Sequence, residues 1–338
     1  MRTLGVKLLI TALMLGACSQ NASPPHQAAY EESGETGESN SRAAAIRSIL
    51  RRKEADRRGS RNESADDSLI RSIPIDPQIE FLLHDQVFVD NVWQELRRFD
   101  ADPHSIGPEV FQGIPVPTGF EHCVAVGCDK RWHCSGVLIA SNAVLTASHC
   151  FCGGQNGACG PIRVAFGADI YSPDETVGVI GDPIAYSDCD GLPSTEHDLC
   201  ILILERDVDF RPARLDRNSR VDQESSLRVA GFGLDEKGVA GIKLMAAVYI
   251  ASSDCNSAES SGRYCCHAPY ELVAGGPLLQ DTCSGDSGGP AYLSSDTSTV
   301  AAITSRPICG DAQCGNGGVY VRVDRHIDWI MSIPGINW

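Results

Sequence analysis

From about residue 110 onward, apolar residues come in short runs: Val124-Ala125-Val126, Val137-Leu138-Ile139, Ala143-Val144-Leu145, Cys200-Ile201-Leu202-Ile203-Leu204, Val300-Ala301-Ala302-Ile303 and Gly318-Val319-Tyr320-Val321. Gly, Asp, Ser and Pro separate them. Short β-branched runs between turn formers predict many short strands, and hence an all-β sandwich or barrel. In this part only Asp324 to Met331 has a helical period, with Ile327, Ile330 and Met331 on one face.

The first 109 residues have a different texture. Arg2 and Lys7 precede an apolar stretch, Leu8 to Leu15, that is too short to span a bilayer; residues 1–17 read as an export signal. Residues 19–41 are polar and low in complexity, with Glu31, Glu32, Glu35 and Glu38 among Ser, Gly and Asn, as in a flexible tether. Residues 42–61 turn basic. Ile46, Ile49 and Leu50 lie there at helical spacing, so the segment is either a solvated charge run or a short amphipathic helix. Apolar patches at Phe81-Leu82-Leu83 and Val87-Phe88-Val89 mark 66–109 as a structured pro-segment or linker. The expected organisation is signal peptide 1–17, tether 18–65, pro-segment or linker 66–109, and one folded domain, 110–338.

With 338 residues and 42% apolar content, the chain can bury a substantial core. Lys+Arg number 28 against 44 Asp+Glu, a formal charge of −16. Nucleic-acid binders need a basic stripe to neutralise phosphates, so that class is excluded. Fifteen cysteines point to an oxidising compartment and to disulfides rather than metal ligands, since most lack paired Cys-x-x-Cys spacing. The signal ends Leu15-Gly16-Ala17-Cys18, which resembles the bacterial lipobox. That resemblance implies cleavage before Cys18 and a lipid on its thiol; Ser19 then favours the outer membrane. Fifteen cysteines less Cys18 leave fourteen, an even number suited to complete pairing. The membrane is met only through this lipid, and the mature protein is either envelope-anchored or released outside the cell.

Three motifs carry chemistry. Leu145-Thr146-Ala147-Ser148-His149-Cys150 ends a strand, and His197-Asp198-Leu199-Cys200-Ile201-Leu202 opens one. Asp281-Thr282-Cys283-Ser284-Gly285-Asp286-Ser287-Gly288-Gly289-Pro290 is a glycine-rich turn presenting a serine. A serine hydroxyl near neutral pH is a weak nucleophile. It needs a base of imidazole's strength, and the base needs an anion to fix its tautomer. Ser287, His149 and Asp198 supply these types. Gly285-Asp286-Ser287-Gly288-Gly289 also fits the nucleophile elbow of α/β-hydrolases, but that fold needs its acid and histidine after the serine, where only His326 follows.

In the order His, Asp, Ser, and with Tyr320 and Trp329-Ile330 near the end, residues 110–338 resemble the trypsin-like, chymotrypsin-fold serine proteases. The resemblance implies two six-stranded antiparallel β-barrels, split near residue 220, with a short C-terminal helix and the site between the barrels. It implies peptide-bond hydrolysis through an acyl-enzyme, with Ser287 as nucleophile, His149 as base and Asp198 as orienter. The Gly285 and Ser287 amides face the oxyanion, and no cofactor or metal takes part. Asp169, Asp174 and Glu175 read as an acidic surface loop rather than a calcium site.

The same resemblance puts Asp281 at the floor of a primary pocket bounded by Thr282, Ser305 and Gly318. This implies protein or peptide substrates with Arg or Lys before the scissile bond, cleaved by a monomeric enzyme. Ser305-Arg306-Pro307 departs from the family's Ser-Trp-Gly. Proline has no N–H to offer substrate, and Arg306 is expected to add positive charge beside the site. Activation by cleavage before Val110 is implied, the new amine pairing with Asp286; Ile114 is a poorer alternative because Pro115 follows. Glu109 precedes Val110, so self-activation by a trypsin-like cut there is not expected. The family bridge Cys134–Cys150 is implied, and Cys283 pairs with Cys309 or Cys314. Val273 stands where a cysteine is expected, leaving Cys255 to Cys265 or Cys266. Cys152 and Cys159 are a further pair, and Cys123, Cys128, Cys189 and Cys200 remain. Two other functions compete: a catalytically silent binding module, and an envelope lipoprotein acting through its tether and basic region. The retained His149, Asp198 and Ser287 favour catalysis.

Overall fold

The computed structural model describes residues 50–51, 82, 85–101, 114–116, 118–129, 131–151, 160–187, 195–235, 237–276, 281–309 and 314–338. Cys18, Val110, Cys152, Cys159 and Cys189 lie outside these residues, as does nearly all of the tether and basic region.

Two closed barrels make up the catalytic part. In the first, β2 (Cys123–Cys128), β3 (Arg131–Ala140), β4 (Ala143–Thr146), β5 (Ile162–Phe166), β6 (Glu175–Ala185) and β7 (Cys200–Leu204) run in the order β2-β3-β4-β7-β6-β5, and β5 pairs back to β2. In the second, β9 (Ser226–Gly231), β10 (Leu244–Ser252), β11 (Glu271–Gly275), β12 (Pro290–Leu293), β13 (Asp296–Pro307) and β14 (Gly318–Arg322) follow the path β10-β11-β14-β13-β12-β9, and the β9–β10 pairing closes it. All pairings within both rings are antiparallel. Two short strands are added to the second: β1 (Ile114–Pro115) on β10, and β8 (Arg214–Leu215), parallel to β13. The chain therefore touches the second barrel before it builds the first, so a simple split near residue 220 is crossed at both sides.

The unbroken apolar runs reflect burial on both faces of a strand. Val124, Val126, Leu138, Val144 and Leu202 point into the first barrel. Their neighbours Ala125, Val137, Leu145 and Ile201 point instead into a layer shared with Tyr292, Ile303 and Val321 of the second and with Ile330 near the C-terminus. Alternation of side-chain direction along a strand makes both faces core, each large side chain contributing about 1.5–3 kcal/mol on burial. Leu227, Val229, Val248, Leu272 and Tyr320 fill the second barrel.

Three α-helices are described: α1 (Gln86–Ala101), α2 (Ala258–Tyr264) and α3 (Ile327–Ser332). The C-terminal helix starts at Ile327 rather than Asp324, because Arg322 engages the Asp324 carboxylate (2.9 and 2.8 Å) in a turn. The expectation of a single helix in this part missed α2, whose start is capped by Ser257 Oγ accepting the Ser260 N–H (2.8 Å). No helix among the described residues is long and apolar enough to cross a membrane.

Candidate active site

The site lies where the two barrels meet, and each barrel brings a part of it. At the end of β4 the chain enters a one-turn helix, Ser148–Cys150, that carries His149. A disulfide from Cys134 on β3 to Cys150 fastens this turn. Asp198 is delivered by the turn Thr195–His197 just before β7 and is 3% exposed. His197 Nδ1 lies 2.8 Å from Nε2 of the buried His326, which ties that turn to the second barrel.

Asp198 is saturated with donors. Its Oδ2 accepts from His149 Nδ1 (2.6 Å) and Ser305 Oγ (2.7 Å). Oδ1 accepts from Ser148 Oγ (2.8 Å) and the His149 N–H (2.9 Å). Burial pushes this carboxyl up, but the bonds from His149 and Ser305 outweigh burial and hold it below the ordinary carboxylate value. Ser305, expected only as a pocket residue, thus braces Asp198 from across the barrel interface. No sequence motif signals this contact, which spans 107 residues.

Ser287 sits on a loop pinned from both sides. Its carbonyl accepts the Ser135 N–H (2.8 Å) of β3, and the Gly288 N–H donates to Thr304 O (2.8 Å) of β13. Gly285 adopts φ +102°, a conformation that other residues rarely tolerate, and its carbonyl accepts from Ser135 Oγ (2.9 Å). His149, Ser287, Gly285 and Ser284 line a cleft of about 350 Å³, together with His133 and Cys150.

Next to it, also bordered by Ser287, is a pocket of about 110 Å³. Asp281, Thr282, Ser305, Gly317 and Gly318 line it, so the four expected pocket residues come together. Asp281 Oδ2 accepts the Gly317 N–H (2.7 Å); Oδ1 accepts from Thr282 N (2.7 Å) and Tyr320 OH (3.1 Å). Burial, helped by the charge of Asp286, outweighs these bonds and pushes the carboxyl up to about 7. Asp286 is also buried. It accepts from the Gly233 and Cys283 N–H groups (both 2.8 Å), and burial raises it to about 6.

Two expectations are corrected here. Arg306 borders the pocket but adds no net charge. Its guanidinium makes a two-pronged pair with Glu271 (2.6 and 2.8 Å), which is fully buried, and donates to Cys265 O (2.8 Å). A carboxylate so buried holds a cation beside it. Complete cysteine pairing fails as well: Cys123 and Cys200 are free and buried. They occupy apolar layers on different faces, Cys123 between the barrels and Cys200 inside the first. The open disulfide choices resolve as Cys255–Cys266, Cys265–Cys309 and Cys283–Cys314. Cys128 is also disulfide-bonded. Among the described residues, the one grouping with metal-ligand spacing is Cys134, His149 and Cys150, whose two sulfurs are joined to each other.

The sequence model of the trypsin family matches residues 112–330. The chain belongs to the trypsin family of serine proteases. It is similar to Trypsin 5G1 of Aedes aegypti, 28% identical over 62% of this chain and 78% of that protein. Similarity to a trypsin of Saccharopolyspora erythraea is 29%, over 60% of this chain and 88% of that one. Phenoloxidase-activating factor 1 of Holotrichia diomphalia is 29% identical over 60% of this chain, which spans only 61% of its length. Among solved structures, HL collagenase superposes with a TM-score of 0.54 at 22% identity, covering 68% of this chain and all of that one. Neuropsin, a serine protease of mouse brain, superposes at 0.51 and 23%, covering 64% of this chain and 95% of that one. At these identities the superpositions establish the chymotrypsin fold.

Proposed function

We propose that this member of the trypsin family is an active endopeptidase in which Ser287, His149 and Asp198 act as one unit. The observation that carries the proposal is the bond from His149 Nδ1 to an Asp198 that has no unmet acceptor need, in a cleft shared with Ser287. With Nδ1 donating to Asp198, the His149 Nε2 lone pair is the base. Ser287 Oγ attacks the peptide carbonyl carbon while its proton passes to Nε2, and the resulting oxyanion is met by the Gly285 and Ser287 amides. The C–N bond then breaks as Nε2 protonates the leaving amine. Water repeats the sequence on the acyl-enzyme, restoring Ser287.

Substrates carry Arg or Lys before the scissile bond, because Asp281 is a buried acid short of a cation. A guanidinium or ammonium reaching it supplies the counter-charge and stands in for the hydration that burial denies. Asp286 has the same need, which an amine freed by cleavage before Val110 fills. Residues 18–65 form the tether and 66–109 the pro-segment or linker of an exported, monomeric lipoprotein, anchored through Cys18 or released outside the cell.

Fluorophosphonate labelling of the mature protein tests the reading, with Ser287→Ala as reference. Labelling confined to Ser287 is expected, and loss of the serine reduces turnover by about a millionfold. A protein that takes no label returns the chain to the binding-module reading. Cleavage profiling on a peptide library separately reads the Arg/Lys preference.

A further inference from the structure

Helix α1 lies wholly ahead of residues 112–330, the part matched to the trypsin family, yet it is built into the second barrel. Phe88, Val89 and Val92 are buried in one cluster with Tyr249, Ala251, Val273 and Val319 of β10, β11 and β14. Phe88 meets the Tyr249 ring edge-on at 6.4 Å. Asn91 Nδ2 donates to Ile250 O (2.8 Å). Asp85 ties the two parts at the helix start: Oδ1 accepts the Val87 and Phe88 N–H groups (2.9 and 3.2 Å), and Oδ2 accepts from Tyr264 OH (2.8 Å). Leu50 and Leu82, further back in the chain, are fully buried in the same cluster. Val273, which replaces an expected family cysteine, is one of the residues covered.

Leu82 connects this cluster to the pocket. A Cβ placed on Gly275 would come within 2.7 Å of Leu82 Cδ1, and one on Gly317 within 3.1 Å. Gly317 is the residue whose N–H reaches Asp281. An apolar side chain from outside the family domain therefore backs the wall that holds the pocket acid. No cysteine occurs between residues 19 and 109, so after a cut ahead of the barrels only non-covalent contacts would retain this segment.

We propose that residues 82–101 are a permanent non-covalent partner of the second barrel, which they do not leave when the chain is cut between α1 and β1, and that Leu82 is a positioning residue for the specificity pocket. The docking half stands without the proposed catalysis; the pocket half rests on it. Three buried side chains of α1, two further leucines and a capped helix start give the interface a core of its own, so the anchored N-terminal part and the protease part remain one particle.

Docking is tested by placing a recognition sequence for a site-specific protease at 102–109 of the full chain, cutting it, and running gel filtration in non-denaturing buffer. Co-elution of the two fragments is expected, with Phe88→Ala weakening it on dilution. Separation of the two fragments with Phe88 intact at micromolar concentration overturns the docking half. The pocket half is read by Leu82→Ala in the mature protein, cut before Val110 and shown by co-elution to retain the N-terminal segment, using the preferred peptide of the unmodified enzyme, whatever residue the library selects. KM is expected to rise about tenfold while kcat changes less than about threefold. Equal losses in both constants, or none, overturn it. Absent fluorophosphonate labelling of the mature protein carrying Leu82 would refute the pocket half through the catalytic reading, while co-elution would still decide docking.

Discussion

Two buried aspartates, one in each barrel, differ in what surrounds them. Asp198, in the first, accepts from two side-chain oxygens, a ring nitrogen and a backbone amide, and its carboxyl is held below the ordinary range. Asp281, in the second, accepts from amides and a phenol, and burial raises it to about 7 from an ordinary 3.8. Both are nearly or wholly sealed from water; the difference is that Asp198 has a resident imidazole and Asp281 has no cation beside it among the described residues. The first barrel's acid is finished on folding. The second barrel's acid keeps the need that the proposed Arg or Lys side chain would meet.

The sharpest break of this contrast is Asp198→Asn, which keeps the shape but turns an acceptor into a donor facing His149. Steady-state kinetics are expected to show kcat lower by about 10,000-fold. Asp281→Asn should act differently: kcat/KM for Arg and Lys substrates falls by about 100- to 1,000-fold, while apolar substrates lose little. Equal losses for both classes would mean that Asp281 is structural.

Acidity sharpens the comparison further. Asp281 must be ionised to hold a cation, so benzamidine affinity is expected to be level above about pH 7 and to fall up to tenfold per pH unit below it. Folding stability moves in opposite senses. Because Asp281 and Asp286 have raised values, their contribution is full below the ordinary carboxyl range and is lost as pH climbs through about 6 to 7. Asp198 has a lowered value, so its contribution is present at neutral pH and disappears on acidification. Thermal melting of Asp281→Asn against the parent at pH 8 and pH 5 reads this: the variant gains more at pH 8. The smallest effect is that of Ser305→Ala, which removes one of four donors to Asp198; kcat should drop about tenfold or less.

The barrels and the convergence of His149, Asp198 and Ser287 were legible because local chemistry marks them. Burial of both strand faces leaves unbroken runs of apolar residues, and His149, Asp198 and Ser287 each sit inside a distinctive short motif. What escaped depends on distance along the chain. The pairing of Arg306 with Glu271 joins residues 35 apart, and Ser305 reaches Asp198 across the barrel interface. Helix α1 left a trace at Val87-Phe88-Val89, but its other buried position, Val92, completes a helical stripe that a three-residue patch conceals. Counting cysteines misled because parity says nothing of where a thiol points: Cys123 and Cys200 are packed as small apolar side chains.

Cys265 and Cys266 are neighbours that end in separate bridges, to Cys309 and Cys255. For the shorter ring, exchanging the two changes its length by a single residue, and loop-closure entropy grows only with the logarithm of length. An unfolded chain oxidised at random has almost no preference between these isomers. Choosing between them falls to tertiary shape, in the turn that follows α2, where Cys265 adopts φ +54° and the adjacent sulfurs diverge. Correct pairing at this corner is thus selected by the native shape and not by chain entropy.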